Sequence, residues 1–231
     1  MLYELARSGW LRRLRRGLYA VDETHRGGPA PHPFAIATAL VQPSAISHWS
    51  ALAHHGLTEQ IPHIVTASTT RDVVTPRMRG AASRSDEPAS TWEVGGLAIR
   101  YIRVQPDRFW GFEEVWVDEL SRVLITDRER TILDAFITPD IFGSIGEILG
   151  VLEEYLSEID VQRLVSYAVR YGQDATIKRL GYVLAQLGAD PEAIHPLRDA
   201  PIRGYRLLDP QEPDRGPYIA GWRLRDNLTG E

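Results

Sequence analysis

From Val123 to Phe136 the chain reads Val-Leu-Ile-Thr-Asp-Arg-Glu-Arg-Thr-Ile-Leu-Asp-Ala-Phe. Three aliphatic residues read as the end of a buried strand. Ile132, Leu133 and Phe136 then recur at helical spacing and give one apolar face. Between them Thr126 is placed to supply an N-cap oxygen, and Glu129 three residues on is placed to reach back to the Thr126 N–H, a capping box. Asp127 and Glu129 also sit in the first turn, where the helix dipole favours negative charge. Strand, cap and amphipathic helix within fourteen residues predict that a sheet meets its covering helix here.

Before this stretch the pattern changes several times. Leu2 to Ser8 is helical in spacing, and Gly9 closes it. Trp10 to Leu14 and Leu18 to Val21 read as two short strands joined across Arg15-Arg16-Gly17, with Gly17 suited to the positive-φ position of the loop. Thr24 to Pro33 holds two glycines and three prolines and reads as a linker. Phe34 to Val41 predicts a short apolar helix, and Ala45 to His55 a second, with Ile46, Trp49, Leu52 and Ala53 as its stripe. Ile61 to Ser68 predicts a strand whose start Pro62 puts at a sheet edge. Arg71 to Ser90 is polar and reads as a loop whose arginines (Arg71, Arg77, Arg79, Arg84) are solvated or touch phosphate. Trp92 to Val94 and Leu97 to Val104 form a hairpin across Gly95-Gly96, and Phe109 to Val117 and Leu120 to Ile125 continue the sheet.

After Phe136 the period is helical: Ile145 to Leu156, Val161 to Tyr171 and Ala175 to Leu187 each carry an apolar stripe. From Ala189 the chain is proline-rich, with short strands at Tyr205 to Leu208 and Gly221 to Leu224. The fold class is therefore α/β (α+β). Residues 1–26 read as the recognition helix and wing of a truncated winged helix-turn-helix, 27–33 as a linker and 34–231 as a mixed sheet-and-helix domain. A complete winged helix has two further helices ahead of the one at Leu2, so those lie upstream or are missing.

Composition sharpens this picture in three ways. With no cysteine, disulfides and cysteine-ligated zinc are excluded. No signal peptide and no apolar run of membrane-spanning length is evident, so a cytoplasmic protein with no membrane contact is expected. The net charge of −5 is unevenly spread: residues 1–26 hold six arginines against three acids, a net +3, which leaves −8 on the rest. A basic tip on an acidic body fits a nucleic-acid contact at one end. In a winged helix the helix enters the major groove and the wing's arginines touch phosphate or minor groove. The alternative is a surface hairpin made soluble by arginine.

Catalytic chemistry finds little support. Asp127, Glu129 and Asp134 could be metal ligands of a nuclease, or a cap and a solvated helix face. The acid-x-Lys pattern of one nuclease class is absent, since the sole lysine, Lys178, follows Ala175-Thr176-Ile177. His48, His54 and His55 invite a zinc reading, but no pair lies at the i, i+4 interval and no His-Glu-x-x-His occurs. Gly143-Ser144 matches the opening of nucleotidyltransferases, but the acid pair that chemistry needs does not follow.

Three segments together resemble the AbiEi-family antitoxins of type IV toxin–antitoxin systems. They are Leu14-Arg15-Arg16-Gly17-Leu18-Tyr19-Ala20-Val21, then Ser47-His48-Trp49-Ser50-Ala51-Leu52 with His55-Gly56-Leu57, then Thr126 through Asp134. The resemblance covers about the first 135 residues. It implies an N-terminal winged helix that binds operator DNA in its own promoter, and a C-terminal domain that neutralises a cognate nucleotidyltransferase-like toxin encoded beside it. Carried over, DNA contact falls on Arg7, Arg12, Arg13, Arg15 and Arg16, with Tyr19 in the same hairpin. It implies no catalytic residue, cofactor or metal. The readings that compete with it are a metal-dependent nuclease built on Asp127, Glu129 and Asp134, and a protein-binding body without DNA binding.

Overall fold

A computed structural model describes residues 2–21, 24, 30–75 and 91–228. The fold is α/β, and by its contacts the chain divides into two compact units. The first takes in residues 1–50 and 61–125, the second residues 51–60 and 126–231.

The first unit opens with a short helix, α1 (Leu2–Arg7), and the hairpin β1 (Leu11–Arg15) and β2 (Leu18–Val21). Next come α2 (Pro33–Leu40), β3 (Ser44–Ile46) and α3 (His48–His54), the last of which runs on into the second unit. The strands β4 (Ile64–Thr69), β5 (Thr91–Val94), β6 (Leu97–Arg103), β7 (Phe112–Trp116) and β8 (Arg122–Thr126) complete it. β3 to β8 form one six-stranded sheet in the order β5-β6-β4-β3-β8-β7. β4 runs parallel to β6 and antiparallel to β3, and β3 runs parallel to β8.

Local rules explain much of this. β5 and β6 turn on Gly95 and Gly96, whose φ of 57° and 81° only glycine adopts freely. His32 caps α2, its Nδ1 accepting from the Phe34 N–H at 3.1 Å, and Pro33 occupies the first turn where its missing N–H costs nothing. The helix then buries Ile36, Ala37 and Leu40.

Two expectations fail here for non-local reasons. Ala45 to His55 is not one helix: Ser44–Ile46 is a fully buried strand held between β4 and β8, and the helix starts only at His48. The pairing on both sides supplies backbone hydrogen bonds that a helix would have to make internally. Nor is β4 an edge strand. Pro62 lies ahead of its start at Ile64, so the ladder has no missing donor, and β4 is buried on both faces. The linker residues 25–29 and Arg77, Arg79 and Arg84 lie outside the described residues.

The second unit is mostly helical: α4 (Arg128–Ile137), α5 (Pro139–Phe142), α6 (Ile145–Tyr155), α7 (Val161–Tyr171), α8 (Asp174–Gln186) and α9 (Pro191–Asp199). A small sheet of β9 (Arg206–Leu207), β10 (Tyr218–Ile219) and β11 (Leu224–Arg225) follows, in the order β10-β11-β9. Its core holds Leu133, Phe136, Ile148, Leu152, Leu164, Leu180 and Leu184, all fully buried. The helical stripes of α6, α7 and α8 fall where the apolar periodicity puts them. α9 was not anticipated: Asp190 caps it and Pro191 starts it, but Pro196 inside it disguises the pattern. No helix among the described residues is long and apolar enough to cross a membrane.

The capping box at the hub needs correction. Thr126 is the last residue of β8, and Asp127 is the N-cap, its Oδ1 accepting from the Arg130 N–H at 2.7 Å. Glu129 does not reach back to Thr126. Its Oε1 accepts from the Asp160 N–H at 2.9 Å, at the start of α7.

Candidate nucleic-acid interface

β1 and β2 pair antiparallel, Leu11 with Val21, Arg12 with Ala20 and Arg13 with Tyr19, until the register shifts between Arg13 and Arg15. Gly17 turns the loop at φ 78°. Alternation along β1 then sorts the arginines. Arg13 and Arg15 are exposed, Arg16 is exposed at the turn, and Leu14 is buried on the other face. Arg12 shares the face of Leu14 and is half-buried. Its side chain lies against the β5–β6 turn, where a Cβ on Gly95 would stand 3.0 Å from the Arg12 Cδ. Tyr19 is half-buried opposite Arg13, and Arg7 is exposed in the last turn of α1. Arg15 lies near enough to Tyr101 to oppose the rise that burial imposes on the phenol. Among the described residues no carboxylate pairs with Arg7, Arg13, Arg15 or Arg16. The hairpin therefore offers three neighbouring cations (Arg13, Arg15, Arg16) on a tip suited to a polyanion.

The three acids of the hub are spent on the fold. Asp127 is nearly buried. Besides capping α4, its Oδ2 accepts from the Tyr167 hydroxyl at 2.8 Å. Burial raises the Asp127 pKa above the usual carboxylate value, the Glu129 charge adds to the rise, and the hydrogen bonds from Arg130 and Tyr167 work against it. Glu129, 5% exposed, holds the start of α7 through Asp160 and takes Arg163 Nη1 at 3.5 Å. Asp134 Oδ1 accepts from Arg130 Nε at 2.8 Å, with both side chains buried. Among the described residues Asp127, Glu129 and Asp134 do not gather their oxygens into one metal-sized cluster.

Of the three histidines, His54 and His55 stay together, with ring centroids 5.3 Å apart. His48 is buried, takes a left-handed φ of 55°, and its Nδ1 lies 2.8 Å from the Ser47 hydroxyl. His55 Nε2 donates to the Thr126 carbonyl at 2.7 Å. The Ser47-His48 segment belongs to a buried polar layer in which Ser68 Oγ donates to Ser47 Oγ and Thr66 Oγ1 donates to the Ser47 carbonyl. A helical periodicity over this stretch gave no hint of that layer.

No family model matches the chain, and no curated protein matches it. A solved structure does: the crystal structure of RV2827C protein from Mycobacterium tuberculosis is 15% identical, with a TM-score of 0.59. The match covers 96% of this chain and 77% of that one. At that identity the likeness is one of fold.

Proposed function

We propose that this chain is a non-enzymatic antitoxin-type regulator whose N-terminal hairpin contacts DNA. The observation that carries the reading is the exposed cluster Arg13, Arg15 and Arg16, none of them matched by a carboxylate among the described residues, on a hairpin that follows a short helix. A net-acidic protein that concentrates exposed cations on one hairpin offers a place for phosphate. The resemblance to the AbiEi family extends the reading: the DNA is the operator of its own genes, and the partner is a nucleotidyltransferase-like toxin made beside it. Engagement of Asp127, Glu129 and Asp134 in caps and ion pairs supports a structural role for them and weighs against a nuclease.

Fluorescence anisotropy with the DNA upstream of the gene, beside a scrambled duplex, tests the first half. The expected result is selective binding that weakens steeply between roughly 50 and 200 mM salt. Equal, weak binding to both duplexes would overturn the operator reading. Co-expression with the neighbouring gene product tests the second half: relief of its toxicity is expected, and unrelieved toxicity would remove the antitoxin assignment.

A further inference from the structure

The small C-terminal sheet carries a surface that the reading above does not use. Tyr205 and Tyr218 lie side by side on it, ring centroids 4.8 Å apart and planes at 65°. Both are exposed, 37% and 62%. The Arg223 guanidinium lies 5.6 Å from the centre of the Tyr205 ring, and that of Arg225 lies 5.1 Å from the centre of the Tyr218 ring. The register explains the assembly: Tyr218 pairs with Arg225, and Arg225 with Leu207, two residues beyond Tyr205. On a pleated sheet these positions share a face, while Leu224 and Leu208 point to the core and are buried.

The face is held rigidly. Trp222 is buried against α8 at Gly181, where any side chain would collide with the indole. Asp209 N–H donates to Asn227 Oδ1 at 2.9 Å, and Asn227 Nδ2 donates back to the Asp209 carbonyl at 2.7 Å. Arg179 Nε ties the Leu207 carbonyl to α8 at 3.0 Å. Arg223 is kept in the left-handed region at φ 55°, with its carbonyl accepting from the Arg206 N–H at 3.1 Å. That conformation is uncommon for a residue other than glycine, and it sets the guanidinium over the Tyr205 ring.

Charge there is more positive than the sequence count implies. Residues 200–228 hold five arginines and four acids. Three of the acids face inward or are matched: Asp209 is buried and takes the Ile145 N–H, Asp214 pairs with Arg225, and Asp226 accepts from the Tyr182 hydroxyl. Among the described residues Arg203, Arg206, Arg215 and Arg223 are exposed and have no carboxylate partner.

We propose that this Tyr205–Tyr218 face binds single-stranded nucleic acid, bases on the tyrosine rings and phosphate on Arg223. Flat exposed rings beside unmatched guanidinium groups meet the two requirements of such a strand, a π-face for each base and a cation for the backbone. A duplex hides its base faces, so the rings would gain nothing from it. Tyrosine and arginine are also enriched at protein interfaces, and the acidic peptide in the test below separates that occupant. The proposal is independent of the N-terminal hairpin.

The test is fluorescence anisotropy of the full chain carrying Arg13→Ala, Arg15→Ala and Arg16→Ala, so that the hairpin contributes nothing. The probes are a labelled oligouridylate of about 12 nucleotides, a duplex of equal length, and a poly-glutamate peptide as competitor. The single strand is expected to bind and the other two to bind far more weakly. Tyr205→Ala or Tyr218→Ala should lower affinity roughly tenfold or more, while Tyr→Phe at either position leaves it nearly unchanged. Arg223→Gln should flatten the log–log salt dependence by about 0.7 for the lost phosphate contact. Loss of single-strand binding in the hairpin variant would overturn the proposal, as would equal binding of duplex or peptide, or Tyr→Ala variants that bind as the parent does. Thermal melts of the exposed-tyrosine variants matching the parent keep a folding defect from counting as support.

Discussion

Arg130 Nε donates to Asp134 Oδ1 at 2.8 Å, one helical turn along α4, with 2% and 5% of the two side chains exposed. The guanidinium also lies 5.6 Å from the centre of the Tyr171 ring. Among the described residues Asp134 Oδ2 has no hydrogen-bond partner. A buried pair of this kind is expensive to break from one side, because the surviving charge stays buried without its counter-ion.

Asp134→Ala should therefore destabilise the protein by about 3–5 kcal/mol, while replacing both residues with apolar ones of similar volume should cost much less. Urea unfolding of the two variants checks it. If the single substitution is cheap, the pair is not the constraint the geometry makes it.

The cap of α4 makes a second prediction. Asp127→Ala should cost about 1 kcal/mol through the lost bond to the Arg130 N–H, and somewhat more because the Tyr167 hydroxyl loses its acceptor. Asp127→Asn should recover part of that, since an amide oxygen still caps. Equilibrium unfolding ranks the three chains, and an Asp127→Ala variant as stable as the parent would remove Asp127 from the cap.

Tyr167 binds its proton more tightly in the folded chain than out of it. Burial, then the hydrogen bond to Asp127, pushes its pKa from 10.0 up to about 12. Its contribution is therefore complete below pH 10 and is lost as pH rises through about 12. Asp127 follows the same sign in acid: its raised pKa means its contribution is complete below 3.8 and fades as pH climbs past that. Tyr167→Phe should flatten the alkaline fall in stability relative to the parent, read from urea midpoints across that range. Parallel curves for the two chains would refute it.

Gly181 should not tolerate a side chain. A Cβ there would stand 2.7 Å from Trp222 Cη2 and 2.9 Å from Leu197 Cβ. Gly181→Ala should cost about 1–3 kcal/mol by overpacking, visible as a lowered thermal midpoint. The alanine's better helix propensity is too small to offset that.

Replacing Arg13, Arg15 and Arg16 with alanine should leave stability nearly unchanged, since all three are exposed. On the regulator reading it should reduce the log–log salt slope of operator binding by about 0.9 for each phosphate contact removed. A parallel drop in the melting temperature would instead make these arginines part of the fold.

Some of this was legible along the chain. The β1–β2 and β5–β6 hairpins, the strand at Val123 and the stripes of α6, α7 and α8 follow from residues within a few positions of one another: glycine at the turn, alternation on the strand, apolar spacing on the helix. The cap of α4 was misplaced by one residue because Thr126 and Asp127 are both good capping residues and stand next to each other. Their roles were decided by β8, which takes Thr126 as its last residue and leaves Asp127 to cap.

The tertiary structure settled what depends on partners far away in sequence. Ser44–Ile46 is a strand because β4 and β8 flank it, although its own residues fit a helix equally well. Glu129 went to Asp160 rather than to its neighbour Thr126 because the start of α7 arrives there. The basic hairpin could be read directly, since four arginines in five residues are visible in any window. The tyrosine–arginine face could not. Its residues come from three short strands, and its charge emerges only after Asp209, Asp214 and Asp226 have been drawn into bonds of their own. A sequence fixes what neighbouring residues favour. Which acids remain to neutralise which arginines is decided only when the chain closes on itself, because charge pairing acts over a few ångströms of space and not over positions in the chain.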